Sequence, residues 1–141
     1  MEIENLMMEK DKKAMSPKEL AVFCANVADG RKAENIVTLE MGAASSIADY
    51  FVLCTANSQP HLKAVTDRIE RETRNQLEIR PLRVEGTPES QWLLLDYGTV
   101  VIHVMTPEMR ELYQLESLWG DAPRIEAVNT LAKGPGAEVK S

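Results

Sequence analysis

The sequence contains only two cysteines, Cys24 and Cys54, and two histidines, His61 and His103. Neither cysteine has a second Cys or a His at the spacing that a zinc site requires, and two thiols are too few for a disulfide framework. Both lie in hydrophobic patterns, which favours buried, reduced thiols in a reducing compartment. We therefore expect a cytoplasmic protein with no metal and no other cofactor.

A hydrophobic run long enough to cross a membrane is also missing. The longest mainly apolar stretches, 50–56 and 100–105, fall far short of the ~20 residues that span a bilayer. Residues 1–15 alternate acids and lysines and contain no apolar segment followed by a cleavage site, so they do not look like a secretory signal. These absences argue against any membrane association.

The chain has no excess of positive charge. It carries 16 Lys and Arg against 22 Asp and Glu, which gives a formal net charge of -6. Proteins that bind a phosphate backbone usually present a basic surface, because their Lys and Arg side chains neutralise phosphates and release counterions from the nucleic acid. The sequence therefore predicts no direct, specific binding to RNA or DNA.

The common motifs of enzymes are absent. No Gly-x-Ser-x-Gly elbow surrounds Ser45 or Ser46, and there is neither a Gly-x-Gly-x-x-Gly after a strand nor a P-loop. The spacing places no acidic partner beside either histidine, so no catalytic triad is supported. We predict that the protein is not an enzyme.

The composition is that of one ordinary globular domain, with 141 residues, 44% of them hydrophobic and 27% charged. Apolar spacing and start signals such as Ser16-Pro17 with Glu19 predict the order αββαβββα. This order is typical of an α/β fold, a single domain with a mixed five-stranded sheet and flanking helices. The predicted helices cover 17–29, 60–77 and 107–119, and the predicted strands cover 35–41, 50–55, 80–84, 92–97 and 100–105.

The domain itself is predicted to cover residues 16–126. Residues 1–15 form an N-terminal extension that we expect to be partly flexible. Residues 127–141 are small and polar, with Gly134-Pro135-Gly136 inside, which predicts a flexible C-terminal tail.

The segment from Gly42 to Phe51 has the outline of a nucleotidyltransferase loop and strand. In those enzymes a Gly-Ser loop precedes a strand with two acids at i and i+2, which hold two divalent cations. Here Asp49 occupies the first position, but Phe51 occupies the second. Because one carboxylate cannot bridge two metals, Asp49 is better interpreted as a loop cap or a structural partner.

The strand that begins at Trp92 predicts an interaction patch. By strand alternation Trp92, Leu94 and Asp96 share one face, while Leu93, Leu95 and Tyr97 share the other. If the Leu93 and Leu95 face covers the core, the Trp92 face forms an aromatic and aliphatic patch with polar edges, the composition of an interaction hot spot. An alternative of equal weight is that Trp92 closes the core. The neighbouring strand adds His103 and Met105 to the patch.

Several motifs, in the same order over residues 16–123, resemble the ribosomal silencing factor family, also called Iojap. No single motif carries this resemblance, because it depends on the whole ordered set. The matching segments are ADYFVLC at 48–54, HLKA at 61–64, VEG at 84–86, WLLLDYG at 92–98, VVIHVM at 100–105 and LESLWGDAP at 115–123.

The resemblance implies a nucleotidyltransferase-like fold without catalysis. It also implies a translational repressor of starvation or stationary phase, which binds the large ribosomal subunit through its protein numbered fourteen and sterically blocks joining of the small subunit. Arg110 and Tyr113 match the family's Arg-x-x-Tyr helix and would border the interface or brace the sheet. The other partner-binding residues that the resemblance implies are Trp92, Asp96, Tyr97, His103, Met105 and Leu94.

Two alternative functions remain at this stage. One is a nucleotidyltransferase-like, nucleotide-binding protein or enzyme with an incomplete metal site, suggested by the segment 42–51. The other is an interaction module whose apolar strand patch pairs with a second copy, so a homodimer is possible when the protein is free of its partner.

Overall fold

The computed structural model of the protein describes residues 15–42, 45, 47–119 and 122–125. The predicted extension, apart from Met15, and the predicted tail lie outside these residues. Five helical segments are α1 (Pro17–Gly30), α2 (Gln59–Glu72), a π-helical turn (Thr73–Leu77), α3 (Pro107–Tyr113) and α4 (Leu115–Leu118). The strands are β1 (Glu34–Glu40), β2 (Tyr50–Thr55), β3 (Arg83–Thr87), β4 (Trp92–Asp96), β5 (Val100–Met105) and β6 (Arg124–Ile125).

The strands form one sheet in the order β3-β4-β5-β2-β1-β6. Only β2 and β5 run parallel within the described chain, with Tyr50 opposite Val100, and every other neighbouring pair is antiparallel. The predicted mixed sheet is therefore confirmed, but the predicted number of five strands is wrong. The sixth strand, β6, pairs with β1 through only two residues, which is too short for a strand to leave a pattern in the sequence.

The first two helices begin where the sequence predicts. The Ser16 hydroxyl accepts a hydrogen bond from the Glu19 N–H, and the Glu19 carboxylate accepts one from the Ser16 N–H, which completes the capping box. Ser58 caps α2 in the same manner, through the N–H of His61. The single helix predicted over 60–77 is in fact α2 followed by the π-helical turn.

Two other predicted elements are displaced. β3 was expected at 80–84, with Gly86 as a break, whereas Gly86 lies inside the strand. A Cβ at this position would lie 2.1 Å from the Trp92 carbonyl oxygen, so the glycine serves close strand approach and not a turn. The helix predicted over 107–119 is divided at Gln114, which takes a left-handed conformation with φ 46°.

The sheet separates two hydrophobic cores. On its first face, α1 and α2 pack on the inward side chains of the central strands. Cys24 on α1 and Cys54 on β2 are free and buried in this core, as predicted. Burial raises the pKa of both thiols. On its second face, α3 and α4 pack on a smaller core built around Phe51, Leu53 and Met105. The second face is therefore the one that keeps part of its apolar surface near solvent.

Candidate partner-binding surface

The strand β4 directs Trp92, Leu94 and Asp96 to the second face. Leu93 and Leu95 are buried in the first core, while the three alternate residues are only half-buried. The condition stated for the patch is therefore met, because Leu93 and Leu95 cover the core. Strand alternation then places Trp92, Leu94 and Asp96 together on the second face.

Trp92 contacts two other aromatic rings. Its indole N–H donates a hydrogen bond to Nδ1 of His103 at 3.2 Å, and the two ring centroids lie 5.8 Å apart. The Tyr113 ring packs against Trp92 with centroids 5.0 Å apart and an interplanar angle of 53°. Trp92 also packs against the second core, so it both closes the core and remains half-buried at the surface. The two alternatives left open for this residue therefore do not exclude one another.

His103 supports Trp92 from below. It is buried between Trp92 and Phe51, whose ring centroid lies 5.1 Å from its own. Because Nδ1 accepts from the indole, the neutral ring carries its proton on Nε2, and this atom has no hydrogen-bond partner in the described structure. Burial lowers the pKa of His103 to about 4, so the ring is neutral at physiological pH.

Met105 lies beneath the surface. It is opposite Trp92 in the β4–β5 register and is completely buried in the second core. Its side chain supports the position of Trp92 from inside the protein and does not reach solvent.

Asp96 accepts two hydrogen bonds at the end of β4. Its Oδ2 accepts a hydrogen bond from Arg83 at 3.1 Å, and its Oδ1 accepts one from the Gly98 N–H at 2.8 Å. Gly98 has φ 92°, which confirms the predicted β4–β5 hairpin turn with a glycine at positive φ. Asp96 therefore stabilises the turn and the edge strand β3 beside Leu94.

Tyr97 does not belong with the other predicted residues. It follows β4 by one position, so alternation turns its side chain to the first face, where it is buried. Its hydroxyl forms a 2.9 Å hydrogen bond with the Thr73 hydroxyl in the π-helical turn. Burial raises the pKa of the Tyr97 hydroxyl. The inclusion of Tyr97 in the patch is corrected: it joins the sheet to the end of α2.

Arg110 joins three elements on the second face. Its Nε and Nη2 donate to the two carboxylate oxygens of Glu116 at 3.0 and 2.7 Å, and its Nη1 donates to the Thr55 hydroxyl at 2.9 Å. These hydrogen bonds lower the pKa of Glu116. Arg110 also lines a polar pocket of about 600 Å³ with Glu34 and Gln114. It therefore braces α3 against α4 and β2.

Two exposed leucines near this face were missed by the sequence analysis. The stripe Met109, Leu112, Leu115 and Trp119 predicts one buried helix face, but Leu112 is 70% exposed. The break at Gln114 restarts the helical register, so Leu115 turns inward while Leu112 does not. Leu118, on α4, is 69% exposed. No signal in the sequence marks the break, because Gln has no preference for positive φ.

The position of the second acid in the nucleotidyltransferase outline is filled by an aromatic ring. Phe51 is buried in the second core and meets Trp119 edge to face, with centroids 4.8 Å apart. No group of three or more His, Cys, Asp or Glu side chains in the described ranges is arranged to hold a metal ion. None of the helices that the structure describes has the length and apolar character needed to cross a bilayer.

The exposed apolar groups of the second face form what we call the aromatic patch. It is defined by Trp92, Leu94 and Tyr113. Leu112 and Leu118 are exposed on α3 and α4, the two helices that pack on the same face. A rigid, half-buried tryptophan with aliphatic neighbours and a charged rim at Arg83 and Asp96 is typical of a protein-binding surface.

Comparison with protein families gives a match over nearly the whole chain. The family described as "Ribosomal silencing factor during starvation" matches residues 14–140. A ribosomal silencing factor from Halalkalibacterium halodurans is 41% identical over 113 residues, which cover 79% of this chain and 95% of that protein.

More distant relatives extend the comparison. The mouse protein named "Mitochondrial assembly of ribosomal large subunit protein 1" is 34% identical over 90 residues, which cover 62% of this chain and 39% of that protein. A crystal structure of a protein from Chromobacterium violaceum superposes with a TM-score of 0.71 at 26% identity, and the match covers 75% of this chain and 88% of that one.

Proposed function

The chain belongs to the ribosomal silencing factor family, and from that membership we propose that it represses translation by binding the large ribosomal subunit. The partner on that subunit is the protein numbered fourteen, and the bound domain sterically blocks joining of the small subunit during starvation or stationary phase. This role requires no catalysis, and the protein acts in the cytoplasm, where the ribosomes are.

The observation that carries the proposal is the way Trp92 is held. A hydrogen bond to His103 and packing against Tyr113 fix the ring before any partner arrives. A side chain that is already ordered loses little conformational entropy on binding, and tryptophan is enriched among residues that dominate binding energy. The name of the mouse relative, which refers to the large ribosomal subunit, supports the choice of subunit.

The charge of the protein suits such a partner. Ribosomal proteins are usually basic, and a net charge of -6 speeds encounter with a basic surface while it disfavours stray contact with RNA. A steric block needs only a stable interface of ordinary size, about 800 Å² on each partner. The aromatic patch supplies the apolar centre for such an interface, with Arg83 and Asp96 at its edge.

Co-sedimentation with separated ribosomal subunits tests the proposal. We expect the full chain to pellet with the large subunit alone and to reduce the fraction of coupled ribosomes. Trp92→Ala should weaken large-subunit binding by about 2 kcal/mol, or about thirtyfold in Kd. Leu82→Ala is the matched control, since Leu82 is 72% exposed but lies outside the patch.

Trp92→Ala also removes packing from the second core, so folding must be checked by circular dichroism. Tyr113→Ala is a second patch variant, because the Tyr113 ring is half exposed and Trp92 is its one ring partner in the described structure. A chain that stays in the supernatant at low and moderate salt contradicts the proposal. Folded patch variants that bind as well as the Leu82 variant contradict the assigned surface.

A further inference from the structure

A groove on the outer side of α2 collects an unusual amount of positive charge for this acidic protein. The groove has a volume of about 410 Å³ and is lined by four arginines and two acids. We call it the arginine groove. Its charged lining residues are Arg31, Arg68, Arg71, Arg74, Asp67 and Glu70.

The fold places the arginines on one side. Arg68, Arg71 and Arg74 succeed one another at i+3 spacing along α2 and the π-helical turn, so they lie along one stripe of its surface. Arg31 directly follows the last residue of α1. The backbone carbonyl oxygen of Arg31 accepts a 2.8 Å hydrogen bond from Nε2 of His61. Because the Nδ1 of His61 accepts from the Asn57 N–H, Nε2 carries the proton and donates it. This contact fixes Arg31 beside α2.

The four arginines of the groove outnumber its two acids, Asp67 and Glu70. Asp67 is engaged by Lys63 at 2.9 Å, outside the groove. Glu72 approaches Arg68 only at 3.8 Å, too far for a hydrogen bond, and the same carboxylate accepts a hydrogen bond from Gln76. The Nε atom of Arg68 is buried and has no hydrogen-bond partner in the described structure.

The other three arginine side chains also lack partners. Within the residues that the structure describes, no side-chain hydrogen bond or ion pair joins Arg31, Arg71 or Arg74 to another group. Only Nε of Arg68 is a buried donor without an acceptor, which is unfavourable unless a ligand supplies one, whereas Arg31, Arg71 and Arg74 are exposed to solvent. The groove therefore has the donors and the charge of an anion site, but no anion among its own side chains that satisfies them.

We propose that the arginine groove binds a small ligand with two or more phosphate groups, such as a nucleoside triphosphate. The planar guanidinium fork matches phosphate oxygens in pairs, and several arginines together distinguish a polyphosphate from a single carboxylate. The volume lies in the range of small-molecule sites, and Glu70 is placed to accept hydrogen bonds from ligand hydroxyls. The prediction of no direct, specific binding to RNA or DNA rests on the net charge of the whole chain and concerns no small ligand in this groove.

The site is independent of the proposed ribosome contact. The groove lies on the helices of the first face, whereas the aromatic patch lies on the second face. Arginine-groove variants should therefore pellet with the large subunit as the unchanged chain does, so the failure of one proposal is distinguishable from the failure of the other.

Titration calorimetry of the full chain with sodium tripolyphosphate and with ATP, both without Mg²⁺ at low salt, tests the proposal. We expect saturable binding that weakens at least about tenfold in Arg71→Ala/Arg74→Ala, since two charge-assisted contacts are lost. Arg71→Lys/Arg74→Lys keeps the charge and should lose less. Arg80→Ala is the matched control, because Arg80 is an exposed arginine outside the groove.

A fluorescent single-stranded RNA of about twelve nucleotides, read by anisotropy, distinguishes a free ligand from an RNA backbone. Binding of ATP or tripolyphosphate that depends on the groove arginines supports the proposal. Binding of the RNA alone overturns it and assigns the groove to RNA phosphates. No saturable binding of any probe, or an equal loss in the Arg80 variant, also overturns it.

Discussion

His103 shows how one buried side chain sets conditions for the surface above it. Its neutral ring accepts from the Trp92 indole, and its own N–H has no acceptor in the described structure. Protonation would put a donor where the indole needs an acceptor and would place a charge among Phe51 and Met105. The ordering of Trp92 therefore depends on a histidine that stays neutral.

We predict that acid destabilises the protein through His103. The folded pKa of His103 is about 4, below the ~6.5 of an unfolded histidine, so the unfolded chain binds this proton more readily. The neutral His103 ring contributes up to about 3 kcal/mol to the free energy of unfolding. This contribution is complete above about pH 6.5 and is lost progressively as the pH falls to about 4. Urea denaturation across this range measures it.

His103→Phe is the control for this effect, because it keeps the aromatic volume and removes the titration. We expect its stability to change much less between about pH 6.5 and pH 4. Glu116 does not obscure the comparison: its pKa is lowered, so its contribution begins to be lost below the ordinary pKa of a glutamate, about 4.3, but both proteins keep Glu116 and lose this contribution equally. Equal slopes for the two proteins would show that His103 is not the titrating group.

At the scale of elements, one ion pair joins the two short helices of the second face. Arg110 makes two hydrogen bonds to Glu116 and one to Thr55, and its side chain is largely buried. Partly buried, bidentate pairs of this kind contribute more than exposed ones. The other contacts that hold the four-residue α4 against the sheet are the buried Leu115 and the edge-to-face packing of Trp119 on Phe51.

We therefore predict that Glu116→Gln destabilises the protein by about 1 to 3 kcal/mol, because Arg110 keeps a largely buried charge without a carboxylate. Glu85→Gln is the matched control: its ion pair with Arg83 is 3.8 Å long and exposed, and its loss should change stability by less than about 0.5 kcal/mol. Denaturant unfolding compares the two. Similar effects from both substitutions would contradict the bracing role of Arg110.

Gly86 predicts a second element-scale effect. A methyl group there would collide with the Trp92 carbonyl, and its φ of 91° is unfavourable for other residues. Gly86→Ala should therefore separate β3 from β4 and lower the free energy of unfolding by about 2 kcal/mol or more. Gly30→Ala is the control, since nothing lies within 4 Å of the added Cβ and the position is helical. It should be neutral or stabilising.

Elements with strong local patterns were predictable. β2 and β5 are apolar on both faces, and their bounds are those that the sequence predicts. Gly86 misled the prediction of β3, because a glycine that permits close strand approach has the same local signature as a turn. The break at Gln114 and the two-residue β6 depend on tertiary contacts, Arg110 with Glu116 and β6 with β1, which no local pattern contains.

The candidate surface was predictable only in part, because strand alternation assigns residues to a face but not to a neighbouring helix. Alternation along β4 places Trp92 and Leu94 together, but it equally places Tyr97 on the opposite face. The arginine groove was not predictable, because Arg31 is remote in sequence from the α2 arginines and its position depends on the contact of its backbone with His61.

At the scale of the whole molecule, charge and apolar contact act at different stages of binding. In the proposed function, the net charge of -6 acts over a distance, while the aromatic patch acts after contact. We predict that the association rate with the isolated basic partner falls several-fold between about 50 and 300 mM salt, while the dissociation rate changes less than about twofold.

Surface plasmon resonance with the purified large-subunit protein numbered fourteen measures both rates. Trp92→Ala should show the reverse behaviour, with a faster dissociation rate and an association rate near that of the unchanged chain. A salt-independent association rate would contradict the steering role of the net charge.

The one parallel strand pair of the described sheet affects how the chain folds as it is made. Each residue of β2 pairs with a residue of β5 that follows fifty positions later, Tyr50 with Val100 being the first pair. At a synthesis rate of about 5 to 20 residues per second, β2 waits for roughly 3 to 10 seconds with β1 on one edge and nothing on the other. An apolar strand with a free edge is a site of aggregation. The growing chain is therefore most vulnerable before β5 emerges, and the sheet closes only when translation of the domain is nearly complete.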